Sequence, residues 1–417
     1  MASSSPDALA TFLHFGYLPR VEADPRARSW SRVRPEDVLP DGALAREELV
    51  ARGLAAFRAA CGTPGEGLQV LPLSGGIDSR LILAHLRQAG LGPRLVTVTF
   101  GVPGTLDFDL APAVARAAGV RHETIDLTDH PLTRAELLEL ARAAPWSFVL
   151  EVFYNHLPFR RFGRAAVYWS GSQANSLAGE DAHELDPDWA RVCRSWARAL
   201  PAARSLRLTP PGFAPESALP REPPLAGTRL THAEQLFLMV RNPGRNDPAQ
   251  LPRGYDVRTP FCQPAWVDFV LRLPTALRAR AGLYQELARR SDPELFALPL
   301  KNDLGLPPGA PAWRHALRRN RARLERELRR RLPWLRLGTD PNLNYADLDA
   351  ELRRASPLAA LVEESLARLE DARTVPWLRP RELWTRHRRR RANLGDALVL
   401  LASLELNLAA NGPPAWP

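Results

Sequence analysis

One stretch constrains this chain more than any other. Leu68 to Leu73 is an apolar run of strand length, Ser74-Gly75-Gly76-Ile77-Asp78-Ser79 follows it, and apolar residues then recur at helical spacing as far as Arg87. Strand, tight loop and helix is the reading that this pattern requires. Gly75 and Gly76 can adopt backbone angles closed to other residues, so consecutive N–H groups can line a concave anion site, with the positive end of the next helix behind it. Ser74 and Ser79 add hydroxyls, whereas Asp78 adds a carboxylate that repels phosphate unless a cation stands between them. A nucleotide carrying Mg²⁺ satisfies all of these groups together.

Strands continue at Arg94–Phe100, His122–Leu127 and Ala165–Trp169, with helical patterns at Leu110–Ala118 and Ala135–Ala143 between them. Alternation of this kind means parallel pairing with right-handed crossovers, hence a doubly wound α/β sheet whose ligand lies at the carboxyl ends of the strands. Three parts are expected: an N-terminal arm over 1–45, a nucleotide-binding α/β core over 46–200, and a mostly helical portion over 201–417 that opens with a Pro-rich surface loop at 201–226. A helix from about Ala43 to Ala60 leads into the first strand.

At 417 residues with 45% hydrophobic content, the chain can bury a large core. The N-terminus lacks the basic and apolar regions of a signal peptide, and the apolar runs are too short to span a bilayer, so a cytoplasmic, non-membrane protein is expected. Cys61, Cys193 and Cys262 fit neither a disulfide framework nor a zinc pattern and read as reduced thiols. The net charge of +10 raises nucleic acid as a partner. Its two main basic runs, His315–Arg331 and Arg386–Arg391, lack interleaved aromatic residues and read as solvated helix faces, so nucleic acid is not expected.

The S-G-G-x-D-S loop resembles the pyrophosphate loop of the N-type ATP pyrophosphatases, the adenine nucleotide α-hydrolase-like fold. Four further stretches narrow the resemblance to the synthetase domain of the asparagine synthetase family: Thr99-Phe100-Gly101, Ser170 to Gly179, Asp256 to Gln263, and Leu298 to Gly305. In family order they cover roughly 45–410. The resemblance implies cleavage of ATP between the α and β phosphates, with AMP placed on a carboxylate, aspartate by default, which then forms an amide. It implies ATP and Mg²⁺ as cofactors, with nucleotide contacts at Ser74, Gly75, Gly76, Asp78, Ser79, Thr99 and Gly171, metal contacts at Asp78 and Asn175, and catalytic roles for Lys301 and Asp256.

Lys301 has an argument of its own. It is the chain's single lysine, the other 55 of its 56 Lys and Arg residues being arginine. A compact ammonium and a planar guanidinium are not interchangeable, and neutralising a departing pyrophosphate calls for the compact one. Elsewhere the chain departs from the family. Where the S-G-E-G-x-D-E pattern carries acids, Ser172, Asn175 and Ser176 stand instead, with Glu180, Asp181 and Glu184 nearby as substitutes. Asp256, one methylene shorter than the family's Glu, becomes the candidate general base, or else an acid paired structurally with Arg258.

Glutamine-using members of the family begin with a glutaminase whose nucleophile is a cysteine exposed by Met removal, whereas this sequence begins Met1-Ala2. Nitrogen is therefore expected from ammonia, from an amine, or from a separate glutaminase. The alternatives are a nucleotide-binding relative that has lost synthesis and serves as a partner subunit, and a tRNA-modifying enzyme built on the same loop.

Overall fold

A computed structural model of the chain describes residues 6–19, 21, 24–178, 187–278, 282–335 and 338–414. In chain order its principal elements are α1 (Pro6–Phe15), α2 (Arg46–Cys61), β1 (Gln69–Pro72), α3 (Ile77–Gln88), β2 (Leu95–Gly101), α4 (Leu106–Ala118) and β3 (Arg121–Asp126). There follow α5 (Arg134–Ala143), α6 (Val149–Phe162), β4 (Val167–Trp169), α7 (Ala174–Ala178), α8 (Asp247–Gln250), β5 (Asp256–Arg258), α9 (Gly282–Ser291), α10 (Ala312–Arg331), α11 (Pro357–Asp371), α12 (Pro380–Arg388) and α13 (Gly395–Asn411).

The five strands form one parallel sheet in the order β3-β2-β1-β4-β5. This is the doubly wound α/β fold that the sequence predicts. β1 is central because it is apolar on both faces: Val70 and Leu71 are fully buried, as parallel strands covered by helices on both sides must be. The chain steps outward from β1 through β2 to β3, then returns to place β4 and β5 on the other side. Strand order therefore reverses between β1 and β4, and a crevice opens there between the loops that follow these two strands.

Local chemistry sets the element ends. Glu47 and Glu48 occupy the first turn of α2 and Arg58 its last, in line with the helix dipole. Thr133 and Glu136 form a reciprocal capping box that opens α5. One large apolar cluster joins α2, α3 and α4, and a second joins α1, α5, α6, α11 and α13.

Three features differ from the sequence reading. The aromatic stretch near the N-terminus is a helix whose Leu9, Phe12 and Leu13 insert into the second cluster, so the expected arm begins as part of the core. Helix α6 contains Pro158, and α4 extends across Pro112 to start four residues earlier than periodicity suggests, at Leu106. β5 crosses the expected boundary at residue 200, because its three residues become legible as a strand only against β4. The Pro-rich 201–226 region carries a single short 3₁₀ turn, Pro215–Ala218. Cys61, Cys193 and Cys262 are buried free thiols. Among the described residues, no helix is long and apolar enough to cross a membrane.

Candidate active site

The loop after β1 has no strained backbone. Neither Gly75 nor Gly76 has a positive φ, and Gly76 is extended at φ −86 and ψ −178 as the N-cap of α3. The expectation of unusual backbone angles is thereby corrected: Gly75 is required by space. A Cβ there would lie 2.8 Å from the Leu106 carbonyl oxygen, which presses the start of α4 against the loop. The hydroxyls of Ser74 and Ser79 lie 3.0 Å apart, the Ser74 N–H donates to Ser79 Oγ at 3.1 Å, and the Gly76 N–H donates to Ser74 Oγ at 3.2 Å. The turn is thus closed by its own serines.

Lys301, from far along the chain, meets this loop twice. Its backbone N–H donates to the Gly75 carbonyl at 2.8 Å. Its ammonium pairs with Asp107 Oδ2 and donates to Asn344 Oδ1 at 2.7 Å, while Asp107 Oδ1 accepts the Gly75 N–H at 2.9 Å. A carboxylate therefore sits between the loop amide and the ammonium.

Arg80, on the first turns of α3, explains how Lys301 is brought there. Its guanidinium is fully buried and donates to the carbonyls of Leu295, Leu298 and Pro299 at 2.8–3.0 Å, gripping the segment that ends in Lys301. Burial lowers its pKa to about 10, so it stays charged at neutral pH. Asp78 Oδ1 accepts from the Tyr284 hydroxyl on α9 at 2.6 Å. Arg80, Tyr284 and Asn344 were not singled out by sequence reasoning, and Asp107 was noted only, with Asp109, as opening the helix after the Thr99-Phe100-Gly101 segment. Arg80 had a usable signal of its own, an arginine on an otherwise apolar helix face directly after the motif.

Between the loops after β1 and β4 lies a cavity of about 210 Å³. Ser74, Asp78, Ser79 and Gly171 form one end of it, and Phe100, Phe159 and Tyr168 line its aromatic side. A Cβ on Gly171 would come within 3.3 Å of Asp78 Cβ, so the two loops touch here. Of the expected nucleotide contacts, Gly75, Gly76 and Thr99 are not among the cavity-lining residues; Thr99 is buried, and its hydroxyl donates to the Leu73 carbonyl at 2.5 Å, so it ties β2 to the end of β1. Its neighbour Phe100 reaches the cavity instead.

The loop after β4 is built differently. Gln173 holds a left-handed backbone at φ 65, a conformation that favours glycine, and its side chain is buried with neither amide atom hydrogen-bonded. Ser172 is buried with an unpartnered Oγ. Asn175 is exposed on α7 and is not among the cavity-lining residues. Gly179, Glu180, Asp181 and Glu184 lie outside the described residues.

Asp256 is not brought to the cavity either. Strand alternation turns Val257 toward it, while Asp256 and Arg258 share the opposite face. There the Arg258 guanidinium donates to the Asp256 carboxylate at 3.0 and 3.3 Å, and both side chains remain substantially exposed. The position fits the structural pairing and not a base acting at the cavity.

Charge and donor chemistry decide what the crevice can hold. Lys301 is paired with Asp107, and Asp78 adds a carboxylate to the cavity lining; hard oxygen donors of this kind suit Mg²⁺. Among the described residues, no three His, Cys, Asp or Glu side chains cluster as a ready-made metal site.

A family model described as asparagine synthase matches residues 70–299, more than half of the chain and ending two residues before Lys301. No curated protein matches the chain.

Proposed function

The chain belongs to the asparagine synthase family, and from that premise we propose that it is an AMP-forming ligase that adenylates a carboxylic acid and passes the acyl group to a nitrogen nucleophile. The observation that carries this reading is the delivery of the single lysine, 222 residues beyond Ser79, onto the carbonyl of Gly75. An ATP-dependent ligase family with this sheet and this crevice supports ATP as the nucleotide.

In the proposed reaction the adenine lies toward Phe100, Phe159 and Tyr168, and the phosphates lie along Ser74, Gly75, Gly76 and Ser79. Mg²⁺ held by Asp78 and the phosphate oxygens would offset the charge of the triphosphate. The substrate carboxylate attacks the α phosphorus, the bond to the β phosphate oxygen breaks, and Lys301 neutralises the pyrophosphate as it leaves. Asp107 keeps that ammonium aimed, and Tyr284 keeps Asp78 oriented. The nitrogen nucleophile then attacks the acyl carbon and AMP departs. Aspartate is the acid that the family's name suggests; ammonia or an amine supplies the nitrogen.

A second reading, a nucleotide-binding relative without turnover, is favoured by one observation, the absence of acids at Ser172, Asn175 and Ser176. Pyrophosphate release from Mg-ATP, measured across a panel of carboxylic acids with and without ammonium, separates the two. Release that requires one acid and disappears in Lys301→Ala and Asp78→Ala supports the ligase. Nucleotide binding with no release on any acid supports the second reading.

A further inference from the structure

A second cavity lies beside the first, with Val257 in the wall of both. It measures about 620 Å³ and opens to solvent. Asp24, Arg26 and Asp247 form one side of it, Thr259 continues the wall, and Arg253 stands exposed on another side. Helix α8 connects the two cavities: Gln250 at its end faces the nucleotide cavity and accepts from Ser170 Oγ at 3.3 Å, while Asp247 at its start faces the second.

Asp247 also reaches the altered loop. The Ser172 hydroxyl lies near enough to favour the charged form of Asp247, although Ser172 Oγ completes no hydrogen bond of good geometry. Ser172 occupies the place where the family pattern carries glutamate. Arg26 holds Asp247 on one side and Asp24 on the other, the latter at 2.9 and 3.0 Å through its Nε. Burial raises the Asp247 pKa against these pairings, which makes it the stronger base. Asp247 Oδ1, Arg26 Nη1, Ser172 Oγ and both amide atoms of Gln173 are buried without partners. Of these residues, Arg26 and Asp247 line the second cavity, where unsatisfied groups are costly unless something polar completes them.

We propose that this second cavity is the acceptor subsite, that it takes the primary amine of an amino acid, and that Asp247 receives the proton which the amine loses on attack. The proposal rests on the ligase reading given above. Two carboxylates against the one guanidinium of Arg26 leave that part of the wall negative, which suits an ammonium group, and the exposed Arg253 in the lining of the same cavity suits a carboxylate on the same molecule. The space is many times the roughly 30 Å³ that a molecule of water or ammonia size occupies. In the step itself the bound ammonium first gives one proton to solvent water, the amine lone pair then bonds to the acyl carbon, and the bond from that carbon to the AMP oxygen breaks. AMP leaves with the electron pair, and the amine proton passes to Asp247.

The test follows both half-reactions in the full chain. With the acid selected by the panel, ATP–pyrophosphate exchange reports adenylation, and amide formation is measured with ammonium chloride, hydroxylamine and each common amino acid. The wild type should use one or a few amino acids better than ammonium. Asp247→Ala and the nearly isosteric Asp247→Asn should lower amide formation about 10²-fold while exchange falls only several-fold. Added formate should partly restore Asp247→Ala, a rescue that a merely structural role does not give, and Arg253→Gln should raise KM for the amino acid. Ammonium serving as well as any amino acid, or Asp247 variants losing both half-reactions equally, overturns the subsite. Absence of exchange in the wild type with every acid overturns the ligase reading itself, and the subsite with it.

Discussion

The two loops that face each other across the crevice have opposite chemistry. In the loop after β1 the polar groups are matched: serine to serine, Gly75 to Asp107, Asp78 to Tyr284, with Lys301 closing the circuit. In the loop after β4 a buried glutamine sits in a glycine conformation, and hydroxyl and amide groups remain without partners. Both are held by the same sheet, so packing does not explain the difference. Under the ligase reading proposed above, the difference is that of a site whose first half-reaction is kept and whose second is re-equipped for another nucleophile.

The largest expected effect is at Lys301. Lys301→Ala should reduce acid-dependent pyrophosphate release by about 10³-fold, the scale of a lost transition-state charge partner, and Lys301→Arg should fail to restore it. Near-normal release in Lys301→Ala would place the chemistry elsewhere and dissolve the contrast between the loops. Arg80→Leu comes next. Three buried carbonyls would lose a charged donor, so stability measured by urea unfolding should fall by about 3 kcal/mol or more, with loss of release as the Lys301 segment comes free. An Arg80→Leu protein of normal stability would show that the segment is held by other contacts.

A smaller effect is expected from the Asp78 pair. Asp78→Asn should weaken Mg-ATP binding about 10²-fold in calorimetry, and Tyr284→Phe, which removes only an orienting hydrogen bond, should weaken it about 5-fold. Chelation of Mg²⁺ should bring the wild type to the level of Asp78→Asn; equal binding with and without the metal would remove the reason for an acid in this loop. The mildest change is Gln173→Gly. Relief of the left-handed backbone should raise stability by about 1 kcal/mol while pyrophosphate release persists. A loss of amide formation in that variant, with exchange intact, would assign the strained glutamine to the acceptor side.

Much of this was legible in the residues. The apolar run at Leu68–Leu73 followed by two glycines specifies a buried strand and a tight loop wherever it occurs, because periodicity and backbone freedom are local properties. Lys301 could be singled out by its solitude among 55 arginines. Thr99 could not be distinguished from Phe100 without knowing which face of β2 meets the cavity. Asp256 appeared as a base because its motif aligned, yet a three-residue strand turns alternate side chains to opposite faces, and register decided that Val257 would point inward.

Asp107, Tyr284, Asn344 and Asp247 lie on four separate segments whose neighbours in sequence carry no shared pattern. By itself, the sequence determined the parallel sheet, the place of the tight loop after β1 and the identity of the one ammonium, since each depends on short-range pattern and residue type. The tertiary structure alone decided which carboxylate faces which cavity, because that depends on how distant helices and strands are turned against each other, and nothing within a few residues of an aspartate encodes the direction in which it will point.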